Sequence, residues 1–126
     1  MKKIITIKNA PAPVGPYSQA ILHGKTLYSS GQIAINPKTD ELVLDSIEEE
    51  THQVMKNISA ILDAAKMDWD HVIKCSIFLS DMNNFSKIND IYASYFSNDF
   101  PARETVEVAC LPKNVNVEIS FIAIQD

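Results

Sequence analysis

Two short segments near the end of this chain carry the side chains best suited to chemistry. From Arg103 to Ala109 the residues alternate, with Arg103, Thr105 and Glu107 on one parity and Val106 and Val108 on the other. From Val115 to Ile124 they alternate again, with Asn116, Glu118 and Ser120 opposite Val115, Val117, Ile119 and Phe121. Successive side chains of a strand point to opposite faces. Helices covering the apolar parity would leave a guanidinium and carboxylates together on the other face. One reading is an anion-binding cleft in which Arg103 grips a carboxylate through its planar fork of donors. Glu118 beside it would then move protons. Polar alternation is also the ordinary mark of a half-buried sheet in water, and pattern alone favours that plainer reading.

Other chemistries find less support. His23, His52 and His71 fall on a turn, a helix and a strand start, without ligand spacing, so no metal site is expected. Cys75 and Cys110 form no C-x-x-C pair. Cys75 shares its parity with Ile73, Ile77 and Leu79 and reads as a small buried hydrophobe, which suits a reducing cytosol. Ser29, Ser30 and Ser76 lack the Gly-x-Ser-x-Gly context of a serine hydrolase. The three glycines form no phosphate cradle. Eleven basic and sixteen acidic residues leave a net charge of −5, a field that repels nucleic-acid backbones. The apolar start Ile4-Ile5-Thr6-Ile7 is too short for a signal peptide and is closed by Lys8. No run approaches the roughly 20 apolar residues of a membrane span, so a cytoplasmic protein is expected.

The elements that must position Arg103 and Glu118 follow from periodicity. At 126 residues with 46% hydrophobic and 21% charged side chains, the chain suits a single globular domain, 1–126. Strands are expected over 3–7, 18–22, 26–30 and 33–35, with His23-Gly24-Lys25 as a hairpin turn. Ala10-Pro11-Ala12-Pro13 forces an extended link between the first two. Ser46-Ile47-Glu48-Glu49 reads as a capping box opening a helix that runs to about Lys66. Ile47, Val54, Ile58, Ile61, Leu62 and Ala65 recur along one face of that helix. Residues 72–79 form a strand, and Asp81 caps a second helix over 82–97. Two strands, 103–109 and 115–124, close the chain. This order predicts an α+β fold, a mixed sheet with two helices packed on one face.

The ordered set Gly15-Pro16-Tyr17-Ser18-Gln19-Ala20, Ser30-Gly31-Gln32-Ile33, Pro101-Ala102-Arg103, Leu111-Pro112-Lys113 and Val117-Glu118-Ile119 closely resembles the RidA/YjgF family of reactive-intermediate deaminases. Phe78-Leu79-Ser80-Asp81-Met82 and Asn89-Asp90-Ile91-Tyr92 fit as well, and the likeness covers about residues 9–124. It implies a chorismate-mutase-like subunit in a barrel-like homotrimer, with a cleft at each subunit interface. It also implies hydrolytic deamination of enamine and imine acids such as 2-aminoacrylate and 2-iminopropionate to 2-keto acids and ammonia. That is the activity of a 2-iminobutanoate/2-iminopropanoate deaminase, working without metal or organic cofactor. Carried over by position, Arg103 pairs with the substrate carboxylate and Glu118 handles the attacking water and the departing ammonia. Tyr17, Asn89 and Thr105 line the pocket, and Ser30 and Gly31 form its floor.

Two positions depart from the family pattern. Glu104 follows the signature arginine where serine or threonine is common, and Thr105 stands where cysteine is common. By alternation Glu104 points with Val106, away from Arg103. The resemblance leaves two further uses of the same cleft: sensing small carboxylates without turnover, or cleaving RNA. A carboxylate beside a carboxylate ligand weakens binding, so Glu118 favours catalysis over sensing. The net charge disfavours RNA.

Overall fold

The alternating runs pair into one six-stranded sheet in the computed structural model, which describes residues 1–126. The strands are β1 (Lys3–Ile5), β2 (Ala20–His23), β3 (Thr26–Ser29), β4 (Val72–Leu79), β5 (Ala102–Glu107) and β6 (Val117–Ile124), ordered β1-β2-β3-β6-β4-β5 across the sheet. All neighbours are antiparallel except β4 and β5, which run parallel at one edge. The β2–β3 hairpin turns at Gly24, whose φ of +61° a residue with a Cβ rarely adopts. Helices α1 (Ile47–Ala64) and α2 (Phe85–Ala93) pack on one face of the sheet. This is the α+β arrangement expected from the element order.

Helix α1 forms because its start is capped and its apolar residues share one stripe. The Ser46 hydroxyl accepts from the Glu49 amide at 3.1 Å, and three acidic residues complement the helix dipole in the first turn. Val54, Met55, Ile58, Ile61 and Leu62 are buried against Cys75, Ile77, Val117, Ile119 and Phe121 of the central strands. Each such side chain contributes roughly 1.5–3 kcal/mol on leaving water. The helix ends at Ala64, two residues before its expected limit. Lys66 supplies the left-handed turn, with φ of +59°, that glycine more often provides.

Several boundaries differ from expectation for local reasons. The second helix is short: residues 82–84 form a 3₁₀ turn capped by Asp81, and α2 begins only at Phe85. Residues 33–35 make only the isolated bridge Ile35↔Leu42, with Gln32↔Ile119 alongside. A bulge between Val72 and Lys74 turns Ile73 outward, so it does not share the buried face of Cys75, Ile77 and Leu79. On the sheet face away from the helices, Phe78 packs against a second small cluster of Ile33, Ile35, Leu111 and Val115.

Candidate active site

Glu118 lies on β6 on the face away from the helices, opposite Phe78 of β4. It borders a cleft of about 330 Å³ with Tyr17, Ser30, Gly31, Gln32 and Pro112. Burial pushes the Glu118 carboxyl above the usual carboxylate range. The close approach depends on Gly31. A Cβ there would stand 2.6 Å from Glu118 Cδ and 2.8 Å from Oε2, closer than any real contact. The loop carrying Gly31 is held from both ends. The Ser30 hydroxyl donates to the Ser18 carbonyl at 2.5 Å, the Ser30 amide to the Gln19 carbonyl, and the Gln32 amide to the Ile119 carbonyl. Tyr17 is half exposed at the rim, and its hydroxyl accepts from the Val14 amide at 3.2 Å.

Arg103 is elsewhere. Its register partner on β4 is Cys75, a fully buried residue of the helix-covered face. The guanidinium therefore points under α2, where it joins Asn89, Tyr92, Ala93, Phe100 and Pro101 around a second cleft of about 260 Å³. Alternation sorts the faces correctly within β5 and within β6, but it does not relate the faces of one strand to those of the other. Arg103 and Glu118 occupy opposite faces of the sheet, not one polar face. Val106 misled that reading. Its apolar side chain suggests the helix side, yet in edge strand β5 it pairs with Phe78 on the other face and stays exposed. Thr105 follows Arg103 on the helix side, lines neither cleft, and keeps its Oγ1 buried without a hydrogen-bond partner.

The sequence-expected residues thus separate into two groups on one protomer: Tyr17, Ser30, Gly31 and Glu118 at one cleft, Asn89 and Arg103 at the other. A model of the family described as endoribonuclease L-PSP matches residues 7–125. The chain belongs to that family. This is the RidA/YjgF grouping that the motifs resemble. Among its relatives is the 2-iminobutanoate/2-iminopropanoate deaminase of Bos taurus, 46% identical over 99% of this chain and 91% of the relative. Another is a putative regulator, AldR, of Lactococcus lactis, 54% identical over 96% of each chain. A crystal structure of E. coli TdcF with bound serine superposes with a TM-score of 0.95 at 35% identity, over 98% of this chain and 99% of that one.

Within this family frame Glu104 becomes intelligible. It points with Val106 onto the Glu118 side of the sheet, where it accepts from the Ser76 hydroxyl and pairs with Lys74 Nζ at 3.0 Å. The Ser76 hydrogen bond and the lysine hold its carboxyl below the usual range. Its charge is already paired and lies across the sheet from Arg103. Sequence reasoning missed three buried polar residues that hold segments of the chain in place. Gln19, 2% exposed, donates from Nε2 to the carbonyls of Ile7, Ala10 and Pro11 and so ties down the strap beside the Glu118 cleft. Asn57 donates from Nδ2 to the Ile33 and Ile35 carbonyls behind it. Glu50 grips the start of β6. Gln19 stood inside a quoted motif, but nothing local marked it as buried.

Proposed function

We propose that this chain hydrolyses short 2-imino acids and their enamine tautomers to 2-keto acids and ammonia, in a site completed by two copies of the chain. One observation carries the reading. The chain presents an unpaired guanidinium in one open cleft and a half-buried carboxyl in another, on opposite faces of one sheet. Juxtaposing the Arg103 cleft of one copy with the Glu118 cleft of the next gives a complete carboxylate-and-imine site. A closed ring such as a trimer repeats that contact without leaving a free end. The deaminase name of the bovine relative supports the substrate class.

In this reading the substrate carboxylate pairs with Arg103, which orients the imine carbon toward Glu118 of the neighbouring copy. An arriving enamine takes a proton from Glu118 on its terminal carbon and becomes the iminium. The Glu118 carboxylate then accepts a proton from water as that water's oxygen bonds to the imine carbon. The product is a tetrahedral carbinolamine. Glu118 returns the proton to nitrogen, the C–N bond breaks, ammonia leaves, and the hydroxyl passes its proton to the Glu118 carboxylate as the ketone forms. The sum is imine plus water giving keto acid plus ammonia.

The test is release of pyruvate or 2-oxobutanoate while a dehydratase generates the imine in situ. Wild type should exceed the spontaneous rate. Glu118→Gln should lower kcat on the order of a hundredfold or more, and Arg103→Ala should raise KM roughly tenfold to a hundredfold. A base must be ionised, so a raised Glu118 pKa moves the acid limb of the pH profile upward. Activity should fall as pH drops through that raised value, and the limb should vanish in Glu118→Gln. The regulator name of the Lactococcus relative favours one second reading, a keto-acid sensor. Arg103-dependent binding of 2-oxobutanoate without any rate enhancement would establish it instead.

A further inference from the structure

Arg103 forms none of the chain's ion pairs and no side-chain hydrogen bond, so something other than a countercharge must hold it. Two aromatic rings do. The guanidinium carbon lies 5.0 Å from the Tyr92 ring centroid and 5.7 Å from that of Phe85. The rings stand seven residues apart on α2, two turns along one side of the helix. Tyr92 is itself fixed: it is 4% exposed and packs on Phe96 at 4.9 Å between centroids. Its hydroxyl is buried, and Tyr92 lines the Arg103 cleft.

We infer that Phe85 and Tyr92 form an aromatic bracket that orients Arg103 for the incoming carboxylate, making both of them positioning residues of that subsite. The inference rests on the proposed role of Arg103 as carboxylate anchor. A ring attracts a cation over its face. The N–H donors of a guanidinium lie in its plane, so rings against its faces leave its edge open for a bidentate carboxylate. A free arginine side chain would lose rotamer freedom on binding, and a bracketed one has already lost much of it.

The test measures 2-oxobutanoate binding by titration calorimetry, alongside KM, kcat and Tm, for wild type and four variants. Arg103→Ala should weaken binding roughly tenfold to a hundredfold. Phe85→Leu, at a partly exposed position that the fold tolerates, should weaken binding and raise KM roughly threefold to tenfold at unchanged kcat and Tm. Tyr92→Phe keeps the ring and should bind as wild type. Adding Phe85→Leu to Arg103→Ala should change nothing further. Wild-type affinity in Phe85→Leu, or a loss in Tyr92→Phe as large as in Phe85→Leu, would overturn the bracket while leaving Arg103 as anchor. Undiminished binding in Arg103→Ala would overturn the anchor and the bracket with it.

Discussion

The Glu118 carboxyl and the Gly31 backbone form a matched pair, and the match decides what each can be replaced by. Glu118 is half-buried, and desolvation makes it retain its proton longer than a surface carboxylate. That is a useful property in a group asked to give and take protons near neutrality. The position of the carboxyl depends on there being no Cβ at residue 31. In Gly31→Ala the colliding atoms belong to the flexible end of the glutamate, which can swing aside at small cost to the fold. The expected outcome is a Tm close to that of wild type with turnover reduced on the order of a hundredfold, the scale of an ångström-sized misplacement. Thermal melts and imine-coupled assays on the same preparation check it; a stable variant with full turnover would mean the carboxyl is not needed where the structure puts it. Gly31 was legible from its motif, but its purpose was not. The resemblance implies that Gly31 forms the pocket floor, whereas the structure shows its backbone close against the Glu118 side chain.

Among the elements, α1 was the most legible, because its periodicity and its serine cap are properties of consecutive residues. What it does for β6 was not. Glu50 is one of the three acids in the first turn of α1, yet it is fully buried. Its carboxylate accepts from the Asn116 amide and side-chain Nδ2, both at 2.7 Å, and from the Val117 amide at 3.2 Å. Spacing held a clue, since Glu50 precedes Val54 and Ile58 by four and eight residues on the buried stripe. The partners, 66 and 67 residues away, were beyond any local pattern. The same limit explains the misplaced Arg103: alternation assigns faces within β5 but says nothing of its register on β4. Removing the Glu50 carboxylate leaves two backbone donors and one amide unsatisfied where β6 begins. Glu50→Ala should destabilise the fold by about 3 kcal/mol, read as a lower urea midpoint at unchanged m-value. An effect below about 0.5 kcal/mol, the range of ordinary surface changes, would mean that β6 is held by its neighbours alone.

At the scale of the whole molecule, a sheet stands between the two groups that the proposed reaction needs. No side-chain rearrangement within one protomer carries Arg103 from the helix-covered face to the cleft of Glu118. A site using both must draw them from different copies, and this has a consequence that a site within one chain could not produce. Arg103→Ala, with weakened binding, and Glu118→Gln, with slowed turnover, should each be impaired alone, yet regain activity when co-expressed at equal levels and purified together. Each site takes its arginine from one copy and its glutamate from another, and each arrives intact half the time. Roughly a quarter of the sites should therefore be wild type, whatever the size of the closed ring. That quarter should show the wild-type KM, because those sites are complete rather than impaired. Coupled assays on the whole co-expressed pool, with assemblies of a single variant left in, give the number, with separately expressed variants mixed after purification as the control. A co-expressed pool as impaired as its components would place both groups in service of separate chemistry and end the shared-site reading.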